Sequence, residues 1–286
     1  MYVSSLAERL FAGRWIAGPD VGDAVRVSRR MNNLNISAML NYLGEDIADR
    51  SAVRDSVTTY LELMRAVNKE GISASISLKP SQIGMGISYA LAKGNYSRIV
   101  GRARKLGIFV WLDMESHGTV DDTMRMYRAQ MKGRGTGICL QAYLRRSIHD
   151  AERITGAGGI IRLVKGAYKE GPDTAFQTRA ETTMNYAVLM RYLFKNAGKF
   201  MVATHDPKML KLAFMLGRST NKKPAYAMLN GIRNNYAARL ARREDVSLYL
   251  PFGKAWMPFV SRRLREEGHL LLILRSFFES QDLVKA

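Results

Sequence analysis

A chain of 286 residues with 47% hydrophobic content can bury one large core or two small ones, and it contains no apolar run of bilayer-spanning length. Its single cysteine, Cys139, excludes internal disulfides and cysteine-based metal clusters. Forty-four Lys and Arg against twenty-five Asp and Glu leave a net charge of +19, but the basic residues are scattered in short pairs such as Arg29-Arg30 and Arg242-Arg243. Without a basic tail, a Cys/His finger or an RNA-binding aromatic signature, that charge reads as solubility and general anion attraction, and no specific nucleic acid is expected.

Residues 1–32 read as two helices, the first over 4–12 and the second running from behind Gly18-Pro19-Asp20 to Met31. The start of the chain lacks the compact apolar region and small-residue cleavage site of a secretory signal, and a reducing cytoplasmic location is the expectation. Eight short apolar or alternating runs follow, at 36–43, 72–78, 108–114, 137–143, 160–164, 200–204, 225–229 and 246–250. Each has the length and the Ile, Val, Leu or aromatic content of a buried strand. Between and after them lie helix-length stretches at 52–70, 88–105, 119–132, 148–157, 174–196, 207–216, 232–242 and 259–279.

Eight strand-helix pairs are the count of an α/β fold of the (βα)8 TIM-like barrel type. An open doubly wound sheet is the second architecture, because sequence does not show closure. No Gly- or Pro-rich linker divides the chain. The reading is one domain over 1–286, with N-terminal helices at 1–32, a barrel at 36–258 and a C-terminal helix at 259–286. Residues 165–178 read as an extended loop, and the last strand is expected to break at Pro251.

A barrel buries its strand bodies and carries chemistry at the strand C-termini. Those positions are polar here: Glu45, Lys79, Asp113, Gln141, Arg162 with Lys165, Thr204 with His205, Asn230 and Tyr249. Arg162 lies within a strand run, where an arginine needs a carboxylate, a phosphate or a polarised heteroatom. Several chemistries drop out, since no HExxH, phosphate-binding GxxxxGK[ST] loop or GxSxG occurs, and Cys139 sits far back in its strand for a nucleophile. Lys79 and Lys165 leave a Schiff-base aldolase open, and a basic module for nucleic acid or lipid is a third reading. In 249–266, YLPFGKAWMPFVSRRLRE, Arg262 and Arg263 sit one turn inside a helix expected to start near Pro258. A guanidinium pair is a fixed fork for a carboxylate. Alone it reads as a solvated basic helix, but the ring of polar strand ends makes it part of a site.

The segments LKPSQIG at 78–84, WLDMES at 111–116, CLQAYLRRS at 139–147, IRLVKGAYKE at 161–170, ATHDP at 203–207 and the 249–266 stretch resemble proline dehydrogenase, in order and over most of the chain. The resemblance is to the compact single-function enzymes rather than the fusion with an aldehyde dehydrogenase. It implies a distorted barrel holding FAD, with FMN as the alternative, that oxidises L-proline to Δ1-pyrroline-5-carboxylate and passes electrons to a quinone or another acceptor. It further implies that Arg262, Arg263 and Lys79 hold the proline carboxylate, that Asp113 stands near the substrate, and that Tyr168, Leu229 and Tyr249 shape its pocket. Arg162 would reach the reactive edge of the flavin. Met114, Gln141, Val164, Lys165, Gly166, Ala167, Thr204, His205 and Glu266 would contact the cofactor, and Glu45 would gate the site by pairing with an arginine. Three departures stand out: Phe259 where many relatives carry tyrosine, Ala225 and Ala227 where Glu and Gln are frequent, and Lys169 where the fusion enzymes have tryptophan. The charge of +19 fits peripheral contact with an anionic membrane, at its inner face, where quinone resides.

Overall fold

The computed structural model describes residues 13–132 and 135–265, without the side chains of 262–265. The helix expected at 4–12, Glu266 and the remainder of the C-terminal helix lie outside the described residues. Helix α1 (Val21–Asn32) starts behind Asp20, whose carboxylate accepts the Asp23 N–H at 2.9 Å. Then strands and helices alternate: β1 (Ile36–Tyr42), α2 (Arg50–Lys69), β2 (Ala74–Leu78), α3 (Tyr89–Lys105), β3 (Phe109–Leu112), α4 (Val120–Met131), β4 (Thr136–Gln141) and α5 (Ser147–Gly156). The second half continues as β5 (Ile161–Val164), α6 (Arg179–Asn196), β6 (Phe200–Ala203), α7 (Pro207–Thr220), β7 (Ala225–Leu229), α8 (Asn234–Leu240), β8 (Val246–Phe252) and α9 (Met257–Arg265).

All strands pair in parallel in sequence order, and β8 closes on β1. This is the (βα)8 barrel, and the open sheet is excluded. The strand period of two decides which side chains face where. Ala38, Leu40, Ile76, Leu78, Val110, Leu112, Ile138, Leu140 and Leu163 point outward into the layer shared with the helices. The alternate set points inward, where Met39, Trp111, Met201 and Ala227 form a separate small core. Trp111 fits there because Gly137 on the next strand has no side chain; a Cβ would lie 2.4 Å from the indole. Each fully buried Leu or Ile in the outer layer is worth about 1.5–3 kcal/mol, so that layer dominates the stability.

Most boundaries shift by a few residues, and two differences have a clear physical reason. β8 does not break at Pro251 but runs to Phe252, pairing Asn41↔Pro251 and Tyr42↔Phe252. Proline is tolerated because its nitrogen side no longer faces a strand: β7 stops pairing at Leu229↔Tyr249, and the Pro251 carbonyl accepts the Ala17 N–H at 2.9 Å. The helix expected from 174 begins at Arg179, where Thr178 and Glu181 form a reciprocal capping box. The extended loop before it is pinned by one antiparallel bridge, Leu144↔Ala175.

Candidate active site

At the C-terminal ends of the strands the barrel opens into a cavity of about 650 Å³. Nearly every residue singled out in the sequence lines it. Met114, Gln141, Val164, Lys165, Gly166 and Ala167 form the β3–β5 side, with Thr204 and His205 beyond β6. Lys79, Asp113, Tyr168, Leu229 and Tyr249 complete the wall, and Arg162 lies in its floor. Glu45 belongs instead to a neighbouring cavity of about 350 Å³ between the β1–α2 loop and the start of α9, which shares Lys79 and Phe259 with the first. Arg262 and Arg263 are in α9, whose N-terminal end bears on both cavities through Phe259.

The floor is a closed polar network. Strand β5 turns Arg162 inward at 3% exposure, between the rings of Trp111 and Tyr249 at 5.2 and 5.7 Å. Its Nη2 donates to Asp113 Oδ1 and, at 3.1 Å, to Ser77 Oγ. Its Nε donates to Cys139 Sγ at 2.9 Å and its Nη1 to Met39 Sδ. Asp113 also accepts from Ser77 Oγ at 2.6 Å and from Tyr249 Oη at 3.1 Å, so both carboxylate oxygens are engaged. A buried guanidinium is tolerable only with such partners. Burial, reinforced by the Asp113 charge, raises the Tyr249 phenol, which stays a hydrogen-bond donor. Burial also pushes the Cys139 thiol up to about 12 although Arg162 opposes it, so the cysteine is a neutral packing group.

On the next shelf Lys79 is ion-paired with Glu45. Buried Glu115 accepts from Ser81 N and Ser81 Oγ, each at 2.7 Å, and so anchors the loop that follows Lys79. Burial lifts the Glu115 carboxyl above its usual value, and the two Ser81 hydrogen bonds only partly offset this. Lys165 reaches Asp206 at 3.1 Å and Thr183 Oγ1 at 2.9 Å. Both lysines considered for Schiff-base chemistry are therefore committed to carboxylate partners.

The β4–β5 side is different. Gln141 Nε2 donates to Met114 O at 3.0 Å, while Gln141 Oε1 and Tyr143 Oη are buried with no hydrogen-bond partner among the described residues. Gly166 adopts φ +105°, and a Cβ there would lie 2.1 Å from the Tyr143 ring, so the backbone passes directly over that ring. His205 Nε2 accepts the Leu229 N–H at 2.9 Å, which places its proton on Nδ1. A partly apolar ledge with open polar atoms and flanking cations, at the strand ends of a barrel, fits a flavin ring and its anionic tail.

Ser77 and Met39 escaped the sequence reading, and Tyr143, at the end of the fourth strand run, was given no role there. Ser77 and Met39 were foreseeable only as inward-facing alternates of ISAMLNY and ASISL. That Tyr143 lies beneath Gly166 had no local signal.

A family model for proline dehydrogenase matches residues 24–271. The chain belongs to the proline dehydrogenase family. Proline dehydrogenase of Deinococcus radiodurans is 32% identical over 265 residues, which covers 89% of this chain and 86% of its own. Proline dehydrogenase 2 of Bacillus subtilis (strain 168) is 28% identical over 263 residues, with 90% and 87% covered. Among solved structures, proline utilization A (PutA) from Bdellovibrio bacteriovorus superposes with a TM-score of 0.85 at 20% identity over 96% of this chain. PutA of Bradyrhizobium japonicum gives 0.79 at 16% identity. These two share the fold, and the chain spans about a third of their length, 34% and 33%.

Proposed function

We propose that this chain, acting as one flavin-binding domain, oxidises L-proline to Δ1-pyrroline-5-carboxylate and passes the electrons to a quinone or another acceptor. The observation that carries the reading is the meeting, in one cavity, of the closed Arg162–Asp113 floor and the open Gln141–Gly166 ledge. When bound, the flavin would accept a hydride from the substrate carbon beside the ring nitrogen; the residues' tasks are orientation and charge placement.

Met114, Gln141, Val164, Lys165, Gly166, Ala167, Thr204 and His205 would hold the cofactor, as would Glu266, and Arg162 supplies fixed positive charge in the floor. The cavity continues to Thr178, Arg179 and Thr182 at the N-terminus of α6, and to Asp206 and Pro207 at that of α7. A helix N-terminus beside a guanidinium suits the phosphate tail that FAD and FMN share, with FAD the cofactor proposed. Lys79 with Arg262 and Arg263 would bind the proline carboxylate, and Tyr168, Leu229 and Tyr249 would bound the ring. The engagement of both Asp113 oxygens supports an electrostatic role that positions Arg162 and Tyr249, rather than that of a proton acceptor. Glu45 would gate access by exchanging partners between Lys79 and an arginine of α9. Phe259 stacks on Tyr249 with ring centres 6.4 Å apart and brings no hydroxyl to that wall, so discrimination among ring-substituted prolines should be weak. No helix of the described residues is long and apolar enough to cross a membrane. Access to a membrane quinone would come from peripheral contact of this basic, cytoplasmic enzyme with anionic lipid.

The test is an absorbance spectrum of the purified protein, followed by anaerobic addition of L-proline. A flavin spectrum that proline bleaches is expected. A colourless protein that gains no proline:dye activity with added FAD or FMN overturns the reading. Arg262→Met and Arg263→Met should each raise the proline requirement strongly with flavin retained, since losing one partner of a carboxylate costs a few kcal/mol.

A further inference from the structure

The outward faces of α6 and α7 carry a pattern that the barrel chemistry does not use. Along α6 the exposed positions from the second turn on include Met184, Val188, Arg191 and Lys195; along α7 they include Lys208, Lys211, Met215 and Arg218. Met184, Val188 and Met215 are exposed at 71%, 49% and 58%, three of the four large hydrophobic side chains so exposed among the described residues. The acids around them are few and committed. From residue 182 to 223 the one carboxylate is Asp206, which caps α7 and pairs with Lys165. Glu181 is held in the α6 capping box, and Glu152 borders the face from α5 beside His149. The outward face of α2 shows what an ordinary solvated helix looks like here, with exposed Arg54 and Arg65 interleaved with Asp55 and Glu62.

We propose that this α6–α7 face docks on an anionic lipid bilayer. It rests on the proline-oxidising reading only for its purpose, delivery of electrons to a lipid-soluble acceptor; docking itself is measurable without that reading. A solvated surface gains nothing from unpaired cations around protruding thioether and valine side chains. A bilayer accommodates both, taking apolar side chains at the acyl boundary and cations at the headgroups. A second copy laid on the same face would bring like charges together, and a polyanion alone leaves the apolar groups unused. The geometry agrees. Both helices begin at the cavity rim, where Thr182 and Pro207 line it. Val188 and Met215 lie about 9 and 12 Å down their helices from those rim residues, at similar depth, with Met184 one turn nearer. The cavity mouth would thus open beside the lipid surface.

The experiment is co-sedimentation of the flavin-loaded full chain with vesicles of phosphatidylcholine plus phosphatidylglycerol, against phosphatidylcholine alone. Three proteins are compared with wild type: Lys195→Glu/Lys211→Glu/Arg218→Glu on the face, Arg54→Glu/Arg65→Glu/Lys69→Glu on α2, and Met184→Ser/Val188→Ser/Met215→Ser. Wild type should bind the anionic vesicles only. The face reversal should lower partitioning on the order of a hundredfold, at several-fold per basic residue, and the α2 reversal far less. The serine variant should lose the binding that survives added salt. Equal loss in the two charge reversals, no binding by wild type, or a serine variant that binds like wild type while RNA or an acidic protein competes, each overturns the proposal. Turnover of proline with a soluble dye should be unchanged in all three variants. If wild type binds vesicles through this face yet never oxidises proline, the functional reading fails and the docking surface stands.

Discussion

The two sides of the main cavity solve opposite problems with similar residues. On the β2, β3, β5 and β8 side, Ser77, Asp113, Arg162 and Tyr249 satisfy one another, and Lys79 is matched by Glu45. On the β4–β5 side, Gln141 and Tyr143 each keep a buried polar atom with no partner among the described residues. A satisfied network is rigid and sets a field, while an unsatisfied buried atom costs stability unless something else binds it. The first side is therefore a preorganised platform and the second a place prepared for a ligand.

The sharpest way to break that contrast is at its most buried charge. Arg162→Met should cost about 3–5 kcal/mol, because it strands Asp113 without its cation, and should abolish turnover. Adding Asp113→Leu should restore part of the melting temperature without restoring activity. If the single variant melts like wild type, the floor is not the stabilising network described.

On the open side Gln141→Leu should behave the other way. It removes an unpartnered oxygen together with one hydrogen bond to Met114, so flavin-free protein should melt within about 1 kcal/mol of wild type. Flavin content after purification should fall instead. A stability loss as large as that of Arg162→Met would erase the distinction between the two sides.

The smallest effect lies on the rim, at Asp206. Burial raises its carboxyl, but the hydrogen bond and charge of Lys165 outweigh it and leave the group below the usual 3.8. A carboxylate depressed in the folded state stabilises in full above its ordinary value. As pH falls below that value the unfolded chain takes the proton first, and the contribution is lost. Melts of flavin-free protein from neutral pH down to about 3 should show less acid loss in Asp206→Asn, which keeps a helix-capping side chain. An unchanged acid limb would show that the partly exposed pair contributes nothing measurable.

How far these features could be read beforehand follows from how local each one is. Strand and helix order follows from periodicity, which neighbours along the chain enforce, and the starts of α1 behind Gly18-Pro19-Asp20 and of α7 at Pro207 fall where that reading put them. The strand-end rule then brought most of the cavity lining to one mouth, though not the 176–182 segment, and family resemblance supplied its chemistry. Pro251 misled because its tolerance depends on where β7 stops, a fact held by another strand. Ser77, Cys139 and Met39 were missed as partners of Arg162 because they come from β2, β4 and β1.

By itself the amino-acid sequence determined the alternation of elements, the outward apolar layer and the polar character of each strand end, since these depend on spacings of two and 3.6 residues. Only the tertiary structure decided that the sheet closes, and that Arg162 spends its donors on Asp113, Ser77, Cys139 and Met39. Closure is what makes the inward side chains of distant strands neighbours, and no local spacing encodes which of them will meet.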